Sequence, residues 1–193
     1  MRNVDEYLQR TESAVRHLFN AITGYIDTLK AGIGPIFVSG LPYGPEQDAH
    51  YSEWCLANSE ELAKSKAAME DFRAEAFALD TICGSILQIA EKGLEIYSEN
   101  TQLHEPWGAI IPPYLAKFCV GREVRSTPLG LIVYAARNQH VHFNDSKLKN
   151  VSASIFNNLA TAHGYGSNNK DPAFDLENPN LESYASNVTS LIG

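Results

Sequence analysis

The chain has 193 residues, of which 44% are hydrophobic and 20% charged, a composition typical of a globular protein with a sizeable core. Its net charge of -8 at pH 7 argues against a broad nucleic-acid-binding face, because such faces are cationic. No apolar run approaches the ~20 residues that span a bilayer, and the polar N-terminus does not resemble a secretory signal. We therefore expect a cytoplasmic protein that does not cross a membrane.

The first half of the chain predicts two long helices. Apolar residues three, four and seven apart run from Val4 to Leu29, as in an amphipathic helix. Frequent glycines and prolines without a sustained period predict a long loop over residues 32–57. Asn58-Ser-Glu-Glu61 resembles a capping box, and a second apolar line follows it to Tyr97.

The second predicted helix would be roughly 60 Å long at ~1.5 Å per residue, so we expect a kink or break near Gly84 or Gly93. The charged residues between its apolar positions, Glu91 among them, are interpreted as a solvated face. Glu75 and Asp80 are the acidic residues that could approach the central helix described next. Cys83, within the apolar pattern, is predicted to lie in the core.

The second half is centred on one predicted helix, Pro128–Asp145, which Thr127 and Pro128 begin. A short helix is expected near residues 114–120, and further helices over residues 151–162 and 181–192. Residues 164–180 form a polar connection. The fold class predicted is all-α, a bundle of about four or five helices, in a single domain over residues 1–193.

A basic island lies in the acidic chain between residues 117 and 149. This segment contains six basic and two acidic residues, which gives it a local net charge of +4. The rest of the chain has a net charge of -12. The island consists of Lys117, Arg122, Arg125, Arg137, Lys147 and Lys149, with Glu123 and Asp145. A local site for an anion is therefore expected rather than an extended DNA-binding face.

The central helix is apolar on almost every side, which predicts burial against more than one neighbour. His140 falls on its core face and is expected to be structural. Asn138 and His142 share the opposite face, whereas Arg137 lies about 140° from His142 at 100° per residue. A site that uses both residues would need a bend near Asn144 or a second copy of the chain.

Arg137, Asn138 and His142 together suit phosphodiester transfer. Histidine titrates near neutral pH and can move a proton on or off an oxygen. Arginine binds phosphate through its planar fork and stabilises developing negative charge. Asn138 would orient the phosphate or the imidazole. In RNA the 2′-hydroxyl is an internal nucleophile, so neither a metal nor a cofactor is needed.

A metal site is the less favoured alternative. His140, His142 and Asp145 have metal-like composition, but residues two apart on a helix point ~200° from each other. The three side chains would converge only on a strand, which the Thr127-Pro128 helix start argues against.

Arg137-Asn138-Gln139-His140-Val141-His142 resembles the R-x4-6-H motif of HEPN-domain proteins, in which a polar residue follows the arginine. These are small all-α domains, commonly dimeric, and many are metal-independent endoribonucleases, including toxins of toxin–antitoxin pairs and RNases of anti-phage systems. The resemblance implies that Arg137 and His142 are the catalytic pair, that Asn138 supports them, and that two copies form a composite site.

The leading hypothesis is therefore a homodimeric endoribonuclease whose products are a 2′,3′-cyclic phosphate and a 5′-hydroxyl. A cognate antitoxin or nucleotidyltransferase is an expected partner. Four basic residues would guide the RNA backbone: Lys147, Lys149, Arg122 and Arg125. The alternative is a non-catalytic HEPN-like binding or scaffold module that acts through dimerisation, with Arg137 in a structural salt bridge.

Overall fold

The computed structural model describes residues 3–103, 105–142, 148, 150–164, 166, 169–179, 181 and 184–193. Its α-helices are α1 (Val4–Ala31), α2 (Pro45–Ala57), α3 (Ser59–Tyr97), α4 (Leu129–Val141), α5 (Asn150–Thr161) and α6 (Ala185–Ile192). The prediction of an all-α helical fold is confirmed. None of the helices within these residues is long and apolar enough to cross a membrane.

Two short 3₁₀ helices and one hairpin lie between α3 and α4. The 3₁₀ helices are Trp107–Ala109 and Pro113–Phe118. Strand β1 (Glu123–Val124) pairs antiparallel with β2 (Thr127–Pro128). The turn between them places Arg125 and Ser126 at φ values of 50° and 57°, a left-handed conformation that is uncommon for residues other than glycine. The α4 helix starts directly after this hairpin.

The predicted loop over residues 32–57 is wrong in its second half, where α2 forms. Pro45 occupies the first turn of α2, a position that suits its fixed φ and missing N–H. None of the α2 residues is buried. The helix therefore has no apolar stripe facing a core, and apolar periodicity gives no signal for it.

The second long helix has no break, because α3 continues through Gly84 and Gly93. Gly84 allows a close contact with α4. A Cβ at this position would lie 2.1 Å from Nε2 of His140 on α4, so only a glycine lets the two helices approach this closely.

The chain divides into two compact units. One comprises Met1–Leu18 and Asp80–Gly193, and it contains the 3₁₀ helices, the hairpin and α4 to α6. The other, Phe19–Leu79, contains α2. Among the described residues, every buried hydrophobic side chain except Ile22 belongs to the first unit. Cys83 is 2% exposed, so its predicted place in the core is confirmed.

Within the first unit, α4 packs against α5 and α6 and is buried on more than one side, as its apolar pattern predicted. Leu131, Ile132, Ala135 and Ala136 have no exposed surface. At its start, Gly130 touches the preceding backbone. A Cβ there would lie 2.4 Å from the carbonyl oxygen of Phe118. These contacts fix the position of α4 and of the polar residues in its last two turns.

Candidate functional site

Arg137 projects from α4 toward a buried carboxylate on α3. Its Nε lies 3.8 Å from Oε2 of Glu91, whose side chain is 8% exposed, whereas the Arg137 side chain is 27% exposed. Because 3.8 Å exceeds hydrogen-bonding distance, the buried Nε–H has no hydrogen-bond acceptor. The pairing is therefore electrostatic, and it leaves this donor of the guanidinium unused.

The burial of Glu91 overturns its prediction as a solvated residue, since it is 6% exposed. The signal was present in the spacing. Asp80, Gly84, Leu87 and Glu91 recur at steps of four, three and four, and all four are buried. Glu91 thus extends the core stripe of α3 by one position, and a carboxylate buried there is stabilised by the facing guanidinium.

Asn138 links Arg137 to the aromatic side chain of Tyr134. The Nη1–H of Arg137 donates to Oδ1 of Asn138 at 3.1 Å, and Tyr134 lies one turn before Asn138 on α4. Burial raises the pKa of the Tyr134 phenol, and the polar side chain of Asn138 offsets part of that rise. The Tyr134 ring packs on Phe118, with 4.8 Å between ring centroids. These contacts restrain the side chains beside Arg137.

His142 is the C-cap of α4 and is exposed to solvent. Its backbone N–H donates to the carbonyl oxygens of Asn138 and Gln139, both at 3.1 Å. The helix predicted to reach Asp145 therefore ends at Val141. The bend expected near Asn144 falls on residues 143–147, which lie outside the described residues. Of the three residues predicted to be catalytic, Arg137 and Asn138 are in direct contact, and His142 follows Asn138 by one helical turn.

His140 lies on the core side of α4, as the helical wheel predicted. Its Nδ1 is 3.3 Å from Oδ2 of Asp80 on α3. The other carboxylate oxygen of Asp80 accepts the backbone N–H of Ser186, in the first turn of α6, at 3.1 Å. Asp80 therefore ties α3, α4 and α6 together. Of the two acidic residues that could approach the central helix, Asp80 contacts it. Glu75 instead accepts a hydrogen bond from Tyr25, and both residues belong to the unit Phe19–Leu79.

The residues predicted to guide the RNA backbone lie in other contacts. The Arg122 guanidinium donates to the carbonyl oxygen of Ile192 at 2.6 Å. That of Arg125 donates to the carbonyl oxygen of Leu159 and pairs with Asp171 at 2.8 Å. Their role toward RNA stays a prediction.

Arg125 also stacks on Phe174, with 5.3 Å from its guanidinium carbon to the ring centroid. Its side chain therefore supports the hairpin turn that carries it. Lys147 and Lys149, the other two residues of this prediction, lie outside the described residues.

Two lysines and two carboxylates surround Arg137 in this part of the structure. Lys117, on the 3₁₀ helix Pro113–Phe118, donates to the backbone carbonyl of Glu95 on α3 at 3.1 Å. The Glu95 carboxylate is hydrogen-bonded to Lys92, which lowers the pKa of Glu95 and raises that of Lys92. With the Arg137–Glu91 pair, both carboxylates are matched by a cation. The local charge of these five side chains is +1, in contrast to the acidic remainder of the chain.

The metal alternative has no further support from the described residues. No three His, Cys, Asp or Glu side chains among them are grouped as ligands of a metal ion. Asp145, the third member of the set considered with His140 and His142, lies outside the described part of the chain.

Comparison of the chain with protein families, with curated proteins and with solved structures finds no match.

Proposed function

We propose that this protein is a metal-independent endoribonuclease that cleaves RNA by attack of the 2′-hydroxyl. The observation that carries the proposal is the arrangement at the end of α4. The Arg137 guanidinium, held by Glu91 and Asn138, keeps a side chain that is 27% exposed, and the exposed His142 imidazole lies one turn beyond Asn138. The likeness of Arg137-Asn138-x3-His142 to the HEPN motif supports the same assignment.

The proposed reaction forms a bond from the 2′-oxygen to phosphorus and breaks the bond from phosphorus to the 5′-oxygen. One His142 imidazole takes the proton of the 2′-hydroxyl, and a protonated His142 from a second copy of the chain gives a proton to the leaving 5′-oxygen. Arg137 stabilises the charge that builds on the phosphoryl oxygens, and Asn138 orients the guanidinium. The products are a 2′,3′-cyclic phosphate and a 5′-hydroxyl.

The test is cleavage of single-stranded RNA by the purified protein in excess chelator. Arg137→Ala and His142→Ala should each lower the rate by about 100-fold or more, since an electrostatic stabiliser and a general acid–base each contribute on that order. The matched controls are Arg16→Ala and His50→Ala, at exposed residues that are far from Arg137 and His142 in the sequence. They should cleave like the wild type, and analysis of the RNA ends should show the two products named above.

Cleavage that requires added metal, or that persists in both site variants, would contradict the proposal. Light scattering of the same preparation gives the oligomeric state. A strictly monomeric and fully active enzyme would refute the composite site while leaving single-copy catalysis intact.

A second candidate is a non-catalytic helical binding or scaffold module. The Arg137–Glu91 pair favours it specifically, because an arginine facing a buried carboxylate also serves the packing of α3 on α4. In that case the purified protein would cleave no RNA offered, and Arg137→Ala would lower the free energy of unfolding without any effect on RNA.

A further inference from the structure

The 3₁₀ helix Pro113–Phe118, which packs on α4, carries Tyr114 and Lys117 on one face. Tyr114 is 70% exposed, whereas Leu115, Ala116 and Phe118 of the same helix are buried. In a 3₁₀ helix, residues three apart lie one above the other, so Tyr114 and Lys117 share its outer face.

The 3₁₀ helix is held against both α3 and α4, the helices that carry Glu91 and Arg137. Lys117 donates to the backbone of Glu95, one turn after Glu91 on α3. Phe118 packs on Tyr134 of α4, one turn before Asn138. Burial, and to a smaller extent the Tyr114 phenol, raises the pKa of Tyr134. The 3₁₀ helix that carries Tyr114 thus packs on the turn of α4 that precedes Arg137 and Asn138.

An exposed aromatic ring beside cations is the arrangement by which proteins hold single-stranded nucleic acid. The base stacks on the ring, which any base can do, and the cations neutralise backbone phosphates. The carboxylates nearby do not oppose this, because Glu91 and Glu95 are paired with Arg137 and Lys92.

We propose that Tyr114 and Lys117 form a nucleotide subsite that takes one unpaired RNA base on the Tyr114 ring and an adjacent phosphate on Lys117. The subsite rests on the proposed function for the identity of its ligand, and it positions the strand so that the scissile phosphate reaches Arg137. It accounts for RNA binding by an acidic chain, since stacking contributes where overall charge does not.

The test uses a short, fluorescein-labelled 2′-O-methyl RNA, which lacks the nucleophile and cannot be cleaved. Its dissociation constant is measured by anisotropy at several salt concentrations. Tyr114→Ala should weaken binding about 5- to 150-fold, the range of one base–aromatic stack, and Tyr114→Phe should bind like the wild type. Lys117→Ala should reduce the slope of log K against log salt by about 0.7, the loss of one phosphate contact.

Matched controls are Tyr43→Ala, at a tyrosine that is 97% exposed, and Lys66→Ala, at an exposed lysine on α3. Both should bind like the wild type. Unchanged binding by Tyr114→Ala, an equal loss in Tyr43→Ala, or no binding by the wild type would overturn the subsite.

The cleavage assay is read separately on unmodified RNA. If the wild type cleaves RNA but Tyr114→Ala binds RNA as tightly as the wild type, the subsite is refuted and the ribonuclease is not. Binding that depends on Tyr114 without any cleavage would refute the ribonuclease and keep the subsite.

Discussion

At the scale of single residues, Arg137 is the side chain on which the two candidate functions diverge. Its guanidinium faces Glu91 at 3.8 Å without a hydrogen bond to it. A catalytic arginine benefits from this arrangement, since the carboxylate restrains it while its side chain stays 27% exposed. A structural arginine needs only the pairing with the buried carboxylate.

The strength of the Arg137–Glu91 pair can be measured by a double-mutant cycle with Glu91→Gln and Arg137→Met. We expect a coupling free energy of about 1 kcal/mol from urea unfolding, because the carboxylate is buried but the arginine keeps part of its exposure to solvent. The control is the exposed pair Lys64–Glu60 on α3, where the coupling should stay below about 0.5 kcal/mol. Equal coupling in the two pairs would contradict the anchoring role of Glu91.

The residues of the candidate site also differ in how well the sequence predicts them. Arg137 and Asn138 were predicted as neighbours in the site from their adjacency on one helix, and they share a hydrogen bond. Their role in catalysis stays a prediction. Glu91 was missed because it meets Arg137 only through the packing of α3 on α4. The two residues are 46 positions apart in the sequence. The stripe of Asp80, Gly84 and Leu87 was the available clue.

At the scale of elements, apolar periodicity predicted α1, α3 and α5 closely. The α3 and α5 helices each bury a row of side chains, and α1 buries Tyr7 and Ile22. Apolar periodicity failed for α2, which buries no side chain. It also gave no account of the hairpin before α4, whose turn holds Arg125 and Ser126 in left-handed conformations. That turn is supported by distant partners: Trp107 donates to the carbonyl of Ser126 at 3.1 Å, and Arg125 reaches Asp171.

The contact between this hairpin and the segment after α5 has a pH dependence that can be tested. Burial alone would raise the pKa of Asp171, but hydrogen bonds from the Ala173 N–H and from Arg125 outweigh it and lower the pKa below the ordinary value of 3.8. A carboxyl group with a lowered pKa stabilises the folded state above its unfolded pKa. That stabilisation is lost as the pH falls through the lower, folded value.

Asp171→Asn should therefore lower the free energy of unfolding by about 1 kcal/mol at pH 7, and the difference from the wild type should shrink as the pH falls below about 4. Urea unfolding at pH 7, 5, 4 and 3 measures it. Asp71→Asn, at an exposed position on α3, serves as the control and should show little difference at any pH. A gap for Asp171→Asn that stays constant down to pH 3 would show that the charge is not responsible.

At the scale of the whole molecule, hydrophobic burial is distributed unevenly. Almost all buried hydrophobic side chains among the described residues belong to the unit of Met1–Leu18 and Asp80–Gly193, which also carries the candidate site. The unit Phe19–Leu79 exposes large apolar side chains, among them Ile36, Val38 and Leu56. Hydrophobic burial therefore contributes more to the stability of the unit that contains α4 than to the stability of the other unit.

The two tryptophans of the chain provide a built-in optical reporter for each unit. Trp107 is 2% exposed in the unit with the candidate site. Trp54 packs in the other unit, 5.5 Å from Phe37 between ring centroids. Each variant, Trp54→Phe or Trp107→Phe, leaves a single emitter whose fluorescence follows one unit during urea unfolding.

We expect the Trp54 signal to change at a lower urea concentration than the Trp107 signal, because less apolar surface is buried around it. Coincident transitions in both variants would instead mean that residues 1–193 unfold as one cooperative domain. Two indole rings thus allow the domain organisation of this chain to be resolved by fluorescence alone, without dividing the chain.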